Sequence, residues 1–220
     1  MCARIARVVI ENVAHHITQR GVRSQNIFWN DDDRNYYLNE LKIQSEKYNL
    51  KILGYCLMSN HVHFIVSPEF KDSIARTIGE THRIYTRRIN FRDGVRGHLF
   101  QERFFSCPLD ERHKVSAMRY IERNPVRAGI EKQAWNYIWS SAKLHTGKIE
   151  KDFLIGLNNW HYTEKEWMDL LKKEPDEKEI LKISSKTGRP CGDIKFFKEC
   201  ERITSRNLLQ QKAGRKKKSQ

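Results

Sequence analysis

The stretch Lys51-Ile-Leu-Gly-Tyr-Cys-Leu-Met-Ser-Asn-His-Val-His-Phe-Ile-Val66 decides how this chain folds. Lys51–Leu57 and Val62–Val66 are apolar runs with β-branched residues, and Met58-Ser59-Asn60 between them reads as a tight turn. The two runs therefore pair as a hairpin, closed by Pro68. Side chains two apart on a strand point to the same face. His61 and His63 thus emerge together, while Val62 turns the other way, into the core.

Outward from the hairpin, the elements fall into a definite order. Residues 11–20 read as a strand ending at Gly21. Asp31–Asp33 resemble a helix start, with acidic groups where the helix dipole favours them, and Tyr37, Leu38, Leu41 and Ile43 follow at helical spacing to about Tyr48. Residues 71–91 form a helix with a buried stripe of Ile74, Ile78, Tyr85 and Ile89, and Arg76, Arg83 and Arg87 share another face. Phe104–Leu109 is a fourth strand. Asp110 and Glu111 open a helix to about Arg123, which Pro125 stops by disfavouring helical geometry in the residue before it. The sequence predicts an α+β fold of ferredoxin-like split βαβ type, an antiparallel sheet with helices on one face. The helix bearing Tyr120 is extra.

The chain has 220 residues, Lys plus Arg number 41 against 27 Asp plus Glu, and the net charge is +14. Such a balance favours a polyanionic partner, nucleic acid first. The five cysteines are odd in number, scattered and without a CxxC pair, which supports neither a disulfide framework nor a cysteine zinc site. No apolar run approaches the ~18 residues of a membrane span, and the first residues lack the apolar core of a secretory signal. The expected location is cytoplasmic, with the nucleoid. Three segments are expected: residues 1–147 as the main domain, 148–199 as an extension with short helices, and 200–220 as a basic, disordered tail carrying seven Lys or Arg against Glu201.

Three groups of residues carry candidate chemistry. His61 and His63 can converge on one divalent cation, although an HxH pair taken alone reads first as two surface histidines on an exposed sheet face. A third ligand and open positions would suit Mg²⁺ or Mn²⁺ acting on phosphate. Tyr120 and Asn124, four apart, share a helix face. A tyrosine hydroxyl is a legitimate nucleophile, and Asn124 offers a neutral carbonyl oxygen. Against this stand a core role for Tyr120 and an N-cap role for Asn124 ahead of Pro125. Arg127 and the Arg76/Arg83/Arg87 face can grip DNA phosphates or lie solvated, and His16 can neighbour the site or fill the sheet face. Tyr137 and Trp139 are candidates for stacking on bases, with a core role as the alternative.

Five segments in register resemble the single-tyrosine HUH transposases of the small insertion-sequence type, and more closely the REP-associated tyrosine transposases. They are His15-His-Ile-Thr-Gln-Arg-Gly21, Tyr55-Cys-Leu-Met-Ser-Asn-His-Val-His63, Gly97-His-Leu-Phe-Gln-Glu-Arg-Phe104, Tyr120-Ile-Glu-Arg-Asn-Pro-Val-Arg-Ala-Gly129 and Trp139-Ser-Ser141, with Thr187-Gly-Arg-Pro190 as a weaker match. Ser59 stands where proline is common in the family's turn. The resemblance implies the HUH endonuclease fold and a single-stranded DNA endonuclease and strand transferase acting on hairpin or repeat ends. It implies metal ligation by His61, His63 and Asn124, and attack by Tyr120 to leave a 5′-phosphotyrosine and a free 3′-OH. The branch is expected to be monomeric. The competing expectation is a ferredoxin-like platform that binds hairpin nucleic acid without cleaving it.

Overall fold

The computed structural model describes residues 7–156 and 161–208. Its elements run β1 (His15–Arg20), α1 (Asp31–Lys47), β2 (Leu50–Leu57), β3 (His61–Pro68), α2 (Ser73–Arg92), β4 (Phe105–Pro108), α3 (Glu111–Glu122), α4 (Asn124–Arg127), α5 (Ala142–His145), α6 (Glu164–Leu171), α7 (Lys178–Thr187) and α8 (Ile194–Thr204). The four strands form one antiparallel sheet in the order β2-β3-β1-β4. This is the split βαβ arrangement that the sequence predicts. No helix among the described residues is long and apolar enough to cross a membrane.

Strand alternation sorts the side chains onto two faces. Val62, Phe64 and Val66 of β3 and Ile17 of β1 join Ile74, Ile78, Tyr85 and Ile89 of α2 and Tyr37, Leu38 and Leu41 of α1 in one core. Ile65, Cys56 and Cys107 look the other way, to a second core with Met118 and Ile121 of α3 and Trp167 and Leu171 of α6. The sheet is therefore covered on both faces, because α3 brings an apolar side of its own that water cannot be left against.

Local chemistry accounts for the element ends. Asn30 caps α1 through Oδ1, which accepts from the Asp33 N–H at 2.9 Å, and Asp33 answers by accepting from Trp29 N–H at 3.0 Å. Asp110 caps α3 by accepting from the His113 N–H at 2.7 Å. At Gly54 the backbone must come close to α3: a Cβ there would stand 2.1 Å from Met118 Sδ. A bulge between Ile52 and Gly54 accompanies this approach.

Several expectations are corrected. β1 begins at His15 rather than residue 11, since Asn12 takes a left-handed turn conformation (φ 59°) and gives its N–H to Pro68 O. β4 is one residue shorter at each end than expected. Ile43 is 53% exposed and lies off the buried stripe of α1. The basic segment 200–220 does not begin as disordered chain. α8 runs through residue 200 to Thr204, held by burial of Cys200 against Val8 and Ile10. Residues 209–220 lie outside the described residues. The extension after residue 147 carries the short helices α6, α7 and α8, and Trp167 of α6 is fully buried in the core behind α3.

Candidate active site

Cross-strand pairing builds one wall of the site. Thr18 lies opposite His63 and Arg20 opposite His61, so β1 and β3 present these four side chains on the same face. His16, one step further along β1, reaches His63: Nε2 and Nδ1 are 2.9 Å apart and the rings stack at 5.1 Å. His61 and His63 have ring centroids 5.1 Å apart. His61 Nδ1 donates to Asn60 Oδ1 at 2.6 Å, because an amide oxygen can only accept. That leaves the His61 Nε2 lone pair free. If His63 Nδ1 likewise donates to His16, its Nε2 is free too.

Burial keeps these imidazoles neutral. It lowers His61 to about 4, with Arg20 adding to the effect, and His16 to about 4. His63 is pushed well below the ordinary imidazole range by burial first, then by its neighbours His16 and His61 and by Arg127 and Arg20. Neutral rings are the form in which histidine ligates metals.

α3 and α4 form the opposite wall. α3 ends at Glu122, close to the expected Arg123, but Pro125 does not drive the residue before it out of helical geometry: Asn124 opens the four-residue α4, where Pro125 occupies the first turn and needs no N–H partner. Asn124 is therefore the first residue of α4 rather than its cap: the cap position is Arg123, without a side-chain bond. The Tyr120 ring lies 6.0 Å from His63 and 6.2 Å from His16. The Arg127 guanidinium stacks over Tyr120 at 4.3 Å and donates to Asn124 Oδ1 at 2.8 Å. Asn124 Nδ2 is buried and has no partner. The pocket between the walls holds about 680 Å³ and includes His61, His63, Tyr120, Asn124 and Arg127, with Arg20 and Phe105 at its margin.

The donors that could face an ion here are the two neutral imidazoles and the Asn124 amide oxygen; the orphaned atom of Asn124 is its NH2, which only donates. Among the described residues no group of three His, Cys, Asp or Glu side chains converges, so an ion here would draw on Asn124 and on water or substrate oxygen. Asn124 Oδ1 accepts from Arg127 with one of its two lone pairs.

Not every residue singled out in the sequence arrives here. Arg76, Arg83 and Arg87 lie on α2, across the sheet from Tyr120. Arg76 pairs with Asp72 at 3.2 Å and lies over Tyr48, and Arg83 pairs with Glu80 at 2.7 Å. Tyr137 is no stacking platform: it is buried and its hydroxyl donates to Leu57 O at 2.7 Å. Trp139 is half-buried, with the Arg34 guanidinium 5.5 Å above its ring.

Other contributors were not legible beforehand. Glu122, wholly buried, accepts from Ser141 Oγ at 2.6 Å and Trp167 Nε1 at 2.8 Å and pairs with His145 Nδ1 at 2.6 Å, locking α3 against the C-terminal segments. Glu174 pairs with Arg127 at 2.9 Å and Arg123 at 3.2 Å. Glu122 stands inside the 120–129 segment, but nothing local marks either it or Glu174.

The family described as "Transposase IS200 like" matches residues 9–124, just over half of the chain and a span that holds His16, His61, His63, Tyr120 and Asn124. No curated protein matches significantly. Among solved structures, the chain is similar to a REP-associated tyrosine transposase bound to a REP hairpin, with a TM-score of 0.52 and 16% identity over 74% of this chain and 96% of that one. A candidate transposase from Deinococcus radiodurans R1 gives a TM-score of 0.39 at 14% identity, over 55% of this chain and 97% of that one. At 16% identity the likeness to the first of these is one of fold. On the family match, this chain belongs to the IS200-like transposases.

Proposed function

We propose that the protein is a metal-dependent single-stranded DNA endonuclease and strand transferase, acting on hairpin or repeat ends through a covalent 5′-phosphotyrosine. The observation that carries this reading is the convergence of His61, His63, Tyr120 and Asn124 on one open pocket from two different layers of the fold. A purely structural tyrosine would not need its ring 6.0 Å from a neutral, metal-competent histidine.

His61 and His63 would hold the cation through Nε2, and Asn124 through Oδ1. Bound there, Mg²⁺ or Mn²⁺ supplies Lewis-acid polarisation of a phosphoryl oxygen. Everything else falls to the chain itself. α3 holds the Tyr120 hydroxyl at the pocket, and Arg127 keeps a fixed positive charge against its ring. The phenolic oxygen attacks phosphorus, an O–P bond forms, and the bond from phosphorus to the 3′-oxygen breaks. The phenol gives up its proton and the departing oxygen takes one, so no outside reactant is consumed. The phosphodiester energy is retained, and a 3′-OH can reverse the step at another end. The hairpin as substrate is supported by what the similar solved structure has bound and by the +14 charge.

The test is a denaturing gel. Wild type and Tyr120→Phe are incubated with labelled hairpin DNA bearing a single-stranded flank, with Mn²⁺ or chelator. An SDS-stable adduct is expected only with both metal and Tyr120. Cleavage that persists in Tyr120→Phe without adduct would replace the tyrosine with activated water. Binding without cleavage or adduct would favour a non-catalytic platform.

A further inference from the structure

The tyrosine pocket does not end at Phe105. Two more hollows open beside it, of about 440 and 360 Å³, and all three meet at Glu102. The hollow of 360 Å³ runs along β4 and is bordered by Arg7, Arg103, Arg189 and Arg206. These arginines come from four separate parts of the chain. Arg7 precedes β1, Arg103 precedes β4, Arg189 follows the Gly188 cap of α7 and Arg206 follows α8.

The fold spends structure on gathering them. Cys191 gives its N–H to Pro108 O at 2.8 Å and its carbonyl accepts from Asp110 N–H at 3.1 Å, which lays the 188–191 segment against the β4 edge. Arg206 Nη1 donates to the Arg7 carbonyl at 3.3 Å. Arg7 is seated over the Phe104 ring at 3.6 Å, with two N–H groups on Phe104 O. Four positive charges are thus gathered on walls that carry a single carboxylate, Glu102. No ion pair to a carboxylate is formed by Arg7, Arg103, Arg189 or Arg206 among the described residues, and Glu102, the one carboxylate on these walls, has an interaction of its own. Arg7, lowered to about 10 chiefly by burial, is also lowered by repulsion from Arg103. An uncompensated cation cluster is costly in the free protein and is relieved by a polyanion. Phe105, 41% exposed on β4, stands where this hollow meets the tyrosine pocket and offers an unstacked base a flat face.

We propose that the groove along β4, bordered by Arg7, Arg103, Arg189 and Arg206, holds single-stranded DNA running on from the tyrosine pocket, with Phe105 as the base platform between them. The proposal rests on the DNA-strand reading above and extends it to the Thr187-Gly-Arg-Pro190 turn, whose Arg189 is otherwise without a role.

Fluorescence anisotropy on the full chain tests it, with one labelled hairpin carrying a single-stranded extension and the same hairpin without it, over a range of NaCl. Wild type should prefer the extended DNA. The double variant Arg103→Gln/Arg189→Gln should lose roughly tenfold in affinity for it, and its log–log salt slope should be shallower by about 1.4, for two phosphate contacts on a single strand. Arg103→Lys/Arg189→Lys should keep most of the slope, which separates charge from folding. Lys51→Gln, which removes one positive charge from the opposite edge strand β2, should behave as wild type. A Gln double variant that matches wild type in affinity and slope on the extended DNA overturns the groove while leaving the tyrosine chemistry untouched. Wild type that binds neither DNA fails at the earlier reading, and the groove falls with it.

Discussion

His16 Nε2 and His63 Nδ1 meet at 2.9 Å, and the other nitrogen of His16 is buried with no partner. His16 therefore acts on the site through His63, setting which ring nitrogen faces the pocket. Such outer partners of metal-binding histidines are worth 10–100-fold in metal affinity, roughly. We predict that His16→Phe raises the Mn²⁺ concentration for half-maximal adduct formation by about 10–100-fold while the melting curve stays cooperative; an unchanged Mn²⁺ dependence would reduce His16 to a space-filler. Glu122 is a different case. Its carboxylate serves Ser141, His145 and Trp167 with no exposure to water. Glu122→Ala removes the buried acceptor shared by Ser141, His145 and Trp167 and should cost about 3–5 kcal/mol in urea unfolding. The strand period put His61 and His63 on one face of the sheet, and the family resemblance singled out Tyr120 and Asn124. The sequence left His16 open, because only the pairing of β1 with β3 decides whose ring His16 meets.

The placing of α3 depends on Gly54. Because a Cβ there would stand 2.1 Å from Met118 Sδ, Gly54→Ala forces the buried Met118 side chain to repack at the contact between β2 and α3, the helix that bears Tyr120. The expected cost is about 1–3 kcal/mol, with a lower adduct yield at saturating DNA. Met118→Ala opens space at the same contact, so the double variant should be less destabilised than the sum of the single changes. Additive effects in denaturant titrations would show that the two side chains do not limit each other. The same close packing explains a limit of the sequence reading. Tyr120 and Asn124 were placed on one helix face, yet their helix is broken between them, and Arg127 rather than a cap role determines where Asn124 Oδ1 points. The arginine faces divided similarly. Arg127 follows α3 into the pocket, whereas Arg76, Arg83 and Arg87 follow α2 to the other side of the sheet.

Across the whole molecule, five imidazoles are held neutral by burial: His15, His16 and His61 at about 4, His82 at about 3, and His63 well below its ordinary range. Above pH ~6.5 they are neutral folded or unfolded. Below it the unfolded chain takes protons that the folded chain refuses until pH approaches 4, so stability is lost as pH falls through that window. Urea midpoints measured from pH 7.5 to 4 should drop most steeply between 6.5 and 4; a flat profile would mean that these rings are not held neutral. The C-terminal extension belongs to the same folding unit. Removing it exposes the seat of Trp167, worth about 4–6 kcal/mol from 150–250 Å² of apolar surface, and deprives Arg123 and Arg127 of Glu174. A fragment of residues 1–147 should therefore melt without a cooperative transition, and a sharp melt near that of the full chain would refute this. The sequence by itself determined the order of strands and helices and the shared face of His61 and His63, because these depend on periods of two and 3.6 residues fixed by local backbone geometry, and its family resemblance carried the candidacy of Tyr120. Only the tertiary structure decided which arginines stand beside that tyrosine, that His16 backs His63, and that the extension closes over α3. Those outcomes depend on which apolar faces find each other across long separations in the chain, and no local period carries that information.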